Sequence, residues 1–133
     1  MNNQEQDQGY ILIVDDSETN NVLLEALLED AGYNTRTALS ASEGWNTIHE
    51  QKPQLVLLDL LMPKISGFQM LDRLKAKKEF ADIPVVIVSA LNEPETIDTL
   101  MNAGAVDFFA KPIDINKIIN RVKELAPLDE PAE

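Results

Sequence analysis

Three short runs in this chain are apolar at every position: Ile11-Leu12-Ile13-Val14, Leu55-Val56-Leu57-Leu58 and Val85-Val86-Ile87-Val88. A strand with one face in water alternates apolar and polar residues, whereas a strand covered on both faces does not. Such runs belong in a parallel sheet with helices on either side. The stretches between them have the spacing to supply those helices. Leu23, Leu24, Leu27 and Leu28 repeat at helical intervals within a helix predicted over Thr19 to Ala31, with Gly32 as its C-cap. Ala41, Trp45 and Ile48 form the inner stripe of a second helix, opened by Ser40-Ala41-Ser42-Glu43 at capping-box spacing and ending near Glu50. Phe68, Leu71 and Leu74 do so for a third over Gly67 to Lys77. Ile97, Leu100 and Met101 follow an Asn92 N-cap in a fourth, which Gly104 ends. Ile118, Ile119, Val122 and Leu125 follow an Asp114 cap in a fifth.

The strands are predicted at Tyr10 to Val14, Asn34 to Leu39, Gln54 to Asp59, Pro84 to Ser89 and Val106 to Ala110. The second is the most polar, which suits a sheet edge. Five strands alternating with five helices, joined by right-handed crossovers, give an α/β fold with a doubly wound parallel sheet. The common five-stranded order is 2-1-3-4-5, with ligands outside the carboxyl ends of neighbouring strands one and three. One domain is expected over residues 10–126, between a mobile N-terminal tail (1–9) and an acidic C-terminal tail (127–133).

Composition removes several classes. A net charge of −12 opposes nucleic-acid phosphates and anionic membrane surfaces, which need clustered Lys and Arg. No cysteine is present, hence no disulfide framework and no thiolate metal site. No apolar run approaches the roughly twenty residues of a membrane span, and the N-terminus has no signal pattern. A cytoplasmic location is the default expectation.

Polar residues collect at one edge of the predicted sheet. Asp15 and Asp16 end strand one, Asp59 ends strand three, Ser89 ends strand four and Lys111 ends strand five. Taken singly, most have a bland reading. Asp59 could be a turn residue, and Ser89 could bond the next turn. Phe108 and Trp45 could be core, His49 a solvated residue, and Glu18 and Asp107 surface charges. Together they are harder to dismiss. Three carboxylates in one cleft repel one another, and a divalent cation relieves that repulsion. Oxygen ligands without His or Cys suit Mg²⁺, or Mn²⁺ in its place. Lys111 and Ser89 could hold further phosphoryl oxygens, and a carboxylate can itself be the nucleophile that forms an acyl phosphate. Asp59 is the most central.

Asp15-Asp16 after a strand, Asp59-Leu60-Leu61-Met62-Pro63 with Gly67, Ser89-Ala90 and Lys111-Pro112 together resemble the receiver domain of two-component response regulators, from about Tyr10 to Leu125. The resemblance implies a flavodoxin-like receiver fold in which Asp59 accepts phosphate from a histidine kinase or a phosphotransfer protein. It implies that Asp16, Asp59 and the main-chain carbonyl of Leu61 bind Mg²⁺ directly, and that Asp15 acts mostly through a metal-bound water. Ser89 and Lys111 would contact the phosphoryl group. Ser89 and Phe108 would couple the site to the face of helix four, strand five and helix five, where a downstream target, an output domain or a second copy docks. The Lys111-Pro112 bond would be cis. Kinase docking would lie near helix one and the loop after strand five. The module is not an enzyme in the usual sense, although it assists its own phosphorylation and dephosphorylation.

Departures from the family pattern carry their own expectations. Ser66 stands where an acid is frequent. Leu61 and Leu91 occupy the variable positions beside the site, and leucines cannot position an attacking water, so self-hydrolysis should be slow. Phe108 has no hydroxyl, so its switching would rest on packing. Other functions fit less well. An aspartyl phosphatase needs a general acid two residues after its nucleophile, where Leu61 stands. A flavin site needs a phosphate loop where Asp15-Asp16-Ser17-Glu18 would repel phosphate. A receiver that docks partners without phosphorylation remains the alternative. The few residues after Leu125 are too short for an output domain, so a stand-alone receiver and a piece of a longer regulator are both expected forms.

Overall fold

A computed structural model of the chain describes residues 9–128. The expectations for the two tails therefore lie outside the described residues, apart from Gly9, Pro127 and Leu128. Strands β1 (Ile11–Val14), β2 (Thr35–Ala38), β3 (Leu55–Leu58), β4 (Val85–Ser89) and β5 (Asp107–Ala110) alternate with helices α1 (Glu18–Asp30), α2 (Ala41–Glu50), α3 (Gly67–Ala76), α4 (Pro94–Asn102) and α5 (Ile115–Leu125). The sheet is parallel throughout, in the order β2-β1-β3-β4-β5. It is the doubly wound topology expected from the apolar runs, with the polar strand β2 at an edge.

Each inner strand feeds two cores, because successive side chains point to opposite faces. Leu12, Val14, Val56, Leu58, Val85 and Ile87 pack with Ile48, Leu71, Leu74 and Leu100 from α2, α3 and α4. Ile11, Ile13, Leu55, Leu57, Val86 and Val88 pack with Leu24, Leu28, Ile118 and Val122 from α1 and α5. The side chains of β1 and β3 are buried without exception, which is why those runs contain no polar residue.

The helix ends show local chemistry. Ser17 Oγ accepts from Asn20 N, and Asp114 Oδ1 accepts from Lys117 N. After α1 and α4 the chain turns through Gly32 (φ 103°) and Gly104 (φ 112°). There Gly32 N bonds Glu29 O and Tyr33 N bonds Leu28 O, with the same pair at Gly104 and Ala105. These are Schellman endings, whose left-handed residue favours glycine.

Several expectations are corrected. Leu23 faces solvent, and Leu27 is half-buried; Asn21 takes the inner position with Leu24 and Leu28. Four leucines at successive 3 and 4 spacings span more than one helix face, and docking on the sheet selects one phase. Met101 is exposed for the same reason. Glu93, not Asn92, is the N-cap of α4, and its side chain makes no capping bond. The Ser40 motif closes only half a box, because Glu43 Oε1 accepts from Leu39 N instead of Ser40 N. The reciprocal box lies at Ser66 and Gln69, where Ser66 Oγ accepts from Gln69 N and Gln69 Oε1 accepts from Ser66 N. Ser66 is therefore the cap of α3. Asp107 is no free surface charge: its Oδ2 accepts from Arg121 Nε at 2.7 Å. Trp45 is only partly buried, and it meets His49 and Phe80 edge to face. His49 is exposed, with Nδ1 2.8 Å from Trp45 O.

Tyr10, just before β1, is buried, and its hydroxyl donates to Gln51 O at the end of α2. Burial pushes its phenol up to about 12; Arg36 pulls it down and Glu50 adds to the rise. The folded state thus holds this proton more tightly than the unfolded chain, whose tyrosines ionise near about 10. Its contribution is complete below that pH and is lost as pH climbs through about 12. Tyr10→Phe should cost about 1 kcal/mol at neutral pH. The difference should shrink toward zero in urea unfolding compared between about pH 8 and pH 11. A constant difference would contradict the buried donor.

Candidate functional site at the carboxyl edge of the sheet

The strand register assembles the site. Val14 and Leu58 are partners across β1 and β3, so the next residues, Asp15 and Asp59, leave the sheet side by side. Asp59 N donates to Val14 O at 2.9 Å, and Asp15 N donates to Ala38 O at 3.1 Å. Ser89 and Ala110 are partners across β4 and β5. Lys111 N donates to Ser89 O at 3.0 Å, which starts the lysine from the same edge. The Lys111-Pro112 peptide bond is cis.

Asp15, Asp16 and Asp59 each bring a carboxylate oxygen to within 4.8 Å of the other two. Asp15 and Asp59 are only 4% and 6% exposed, whereas Asp16 is open to solvent. Lys111 Nζ lies 2.8 Å from Asp15 Oδ2 and 3.6 Å from Asp59 Oδ2. Burial pushes the Asp59 carboxyl above the usual range, and the Asp15 carboxylate pushes it the same way. Lys111 and the amides of Leu61 and Leu60 pull against them. One lysine against three acids leaves the cluster anionic, and its donors are all hard carboxylate oxygens. That set fits a hard divalent cation, with Asp16 on the open side.

Ser89 is fully buried, and its Oγ accepts from Leu91 N at 3.2 Å. It makes the local turn bond of a strand-end serine and retains its own proton for donation. Phe108 is half-buried against the core shared by α2, α3 and α4. Leu61 is 54% exposed beside the acids, with its amide 3.5 Å from Asp59 Oδ1, and Leu91 is half-buried.

Three supporting residues escaped the sequence reading. Ser17 N donates to Asp15 Oδ1 at 2.9 Å. Asn20 Nδ2 donates to Asp15 Oδ2 at 3.4 Å. Asn21 Nδ2 donates to Asp15 O at 2.9 Å and to Ala38 O at 3.2 Å. The available signal was a pair of asparagines, poor helix formers, in the first turns of a helix. Gly67 belongs to the motif after Asp59, and its reason is steric. A Cβ there would lie 2.2 Å from Asp59 O.

The sequence matches the model of the response regulator receiver domain over residues 11–123. The chain belongs to this family. It is 36% identical over 118 residues to Sporulation initiation phosphotransferase F of Bacillus subtilis, covering 89% of this chain and 94% of that protein. It is 35% identical over 115 residues to the DNA-binding dual master transcriptional regulator RpaA of Synechocystis, covering 86% of this chain but only 48% of RpaA. The chain therefore spans about half the length of that relative. Its structure superposes on the response regulator receiver protein from Pseudomonas putida with a TM-score of 0.84 at 29% identity, covering 88% and 97% of the two chains. The fold is thus the receiver fold, and the domain is a phosphoacceptor module of two-component signalling. Receiver domains interact with histidine kinases or phosphotransfer proteins and with output targets. No helix among the described residues of this receiver is long and apolar enough to cross a membrane.

Proposed function

We propose that Asp59 is the phosphoacceptor. The observation behind this reading is the register that sets Asp59 beside Asp15, with Lys111 Nζ within 3.6 Å of both. An Asp59 carboxylate oxygen attacks the phosphorus of a phosphohistidine on a kinase or phosphotransfer protein. The P–O bond forms as the P–N bond breaks, and the departing imidazole takes up a proton. Lys111 neutralises a phosphoryl oxygen, and the Ser89 hydroxyl donates to another. Asp15, Asp16, Asp59 and the Leu61 carbonyl would hold Mg²⁺, with Mn²⁺ as a substitute; when bound, the ion offsets the charge that builds on the phosphoryl oxygens.

Phosphorylation adds about two negative charges at the edge. Drawing Ser89 toward the new group shifts the chain after β4, and Phe108 repacks beside it. The readout surface is α4, β5 and α5, which serves a downstream target, an output domain or a second copy. The setting is cytoplasmic, and neither nucleic acid nor membrane is a partner of this domain. Its own contribution to turnover is confined to assisting its phosphorylation and dephosphorylation.

The test is incorporation of phosphate from phosphoramidate with Mg²⁺ and with EDTA. Label that appears only with the cation supports the reading, and equal labelling in EDTA sinks the metal role. Leu61 and Leu91 flank the site without a group that could orient water. The phosphoryl group should therefore persist for minutes to hours after the donor is removed. Decay within seconds would contradict that expectation.

A further inference from the structure

The inner face of α1 carries one residue that its packing does not explain. Asn21 is 2% exposed and sits in line with Leu24 and Leu28. Its Oδ1 is buried without a partner among the described residues. An unsatisfied buried acceptor is costly, and an apolar side chain of the same shape would avoid that cost. The residue's value therefore lies in its amide donors. Both go to backbone at the carboxyl edge, to Asp15 O at 2.9 Å and Ala38 O at 3.2 Å. Ala38 O also accepts from Asp15 N. Asn21 thus closes a clamp around the peptide units on either side of Asp15, at the point where the chain leaves the sheet for α1. Asp15 and Asp16 both project from that backbone. Asp59 projects from β3, and its amide donates to Val14 O, the carbonyl of the peptide unit that carries Asp15 N.

We infer that Asn21 is a positioning residue for the Asp15-Asp16 pair, setting the divalent-cation affinity of the cluster. This rests on the metal reading given above. Hydrogen-bonding partners behind metal ligands typically change affinity by about 10–100-fold when removed. The clamp acts on the backbone that carries two of the three acids, so a loss near the lower end is expected.

The experiment measures the Kd for Mn²⁺ by electron paramagnetic resonance. It is recorded for the wild type, Asn21→Leu and Leu28→Val. Asn21→Leu keeps the branched shape, with larger methyl groups in place of the amide, and removes the donors. Leu28→Val weakens the same helix without touching the clamp. The inference expects the Kd to rise about tenfold in Asn21→Leu, and Leu28→Val to keep the wild-type Kd. Circular dichroism reports folding, and Asn21→Ala replaces the leucine variant if leucine does not fit. An unchanged Kd in a folded Asn21 variant overturns the inference. So does an equal loss in Leu28→Val, which would show that helix stability alone is responsible. A wild type that binds no Mn²⁺ fails at the first measurement and refutes the metal reading, and this inference falls with it.

Discussion

Gly67→Ala should lower the unfolding free energy by about 3 kcal/mol or more and slow phosphorylation as well. Gly67 is the first residue of α3, and its amide donates to Leu60 O at 3.0 Å. A Cβ there would lie 2.2 Å from Asp59 O, 2.8 Å from Leu60 Cα and 3.0 Å from Asp59 C. All three are backbone atoms, so no side chain can swing aside. Either α3 lifts from the sheet, at the expense of the contacts of Met70, Leu71 and Leu74, or the Asp59 peptide moves. The first outcome costs packing and the second disturbs the acid cluster. Urea unfolding and the labelling rate from phosphoramidate check both. A variant within about 1 kcal/mol of the wild type and labelled normally would show that the approach of α3 to Asp59 is looser than described.

Lys111→Met should be the other large effect. Among the described residues, Lys111 is the cation in ion-pair contact with the buried acids. Removing one partner from a buried pair typically costs about 3–5 kcal/mol. A value near the bottom of that range is expected in EDTA at about pH 8, because Asp59 can take up a proton instead of remaining charged. The sign of the pH dependence follows. The Asp59 carboxyl is already pushed above its ordinary value by burial and by Asp15, and losing Lys111 removes a group that pulls it down. A carboxyl raised on folding gives its full stability below its unfolded pKa, near about 4, and loses it as pH rises through the folded value. The deficit of Lys111→Met should therefore be largest at about pH 8 and smaller at about pH 5. Chemical denaturation of both proteins at the two pH values, in EDTA, reads it directly. A pH-independent deficit would mean that the lysine supports the fold through its packing alone.

Much of this architecture was legible because strand burial leaves a strong mark on sequence. Ile11 to Val14 and Leu55 to Leu58 have no polar position because both of their faces are covered. Thr35-Arg36-Thr37 reads as an edge because it is one. Once the order is known, strand-end residues necessarily meet at one rim, so Asp15, Asp59, Ser89 and Lys111 could be placed together without side-chain detail. Helix phase was harder to read. Leu23 and Leu24 are equally apolar, yet only contact with the sheet decides that Leu24 and Asn21 point inward. The capping box at Ser66 was hidden behind the expectation of an acid there, although Ser-x-x-Gln spacing was present. The Asp107–Arg121 pair joins residues 14 apart on two elements, and nothing local marks it. The role of Gly67 depends on a distance between two backbones, which no pattern of residue types encodes.

The most direct test of the account is the intact mass of the protein after incubation with acetyl phosphate and Mg²⁺, beside Asp59→Asn. The account predicts a gain of one phosphoryl group, about 80 Da, formed on a carboxylate as an acyl phosphate. The gain should be absent from Asp59→Asn and from the wild type in EDTA. An adduct of the same mass on Asp59→Asn would mean that another residue is the acceptor. No adduct on folded wild type, with Mg²⁺ present and a phosphorylated histidine donor also failing, would mean that this receiver works by docking alone.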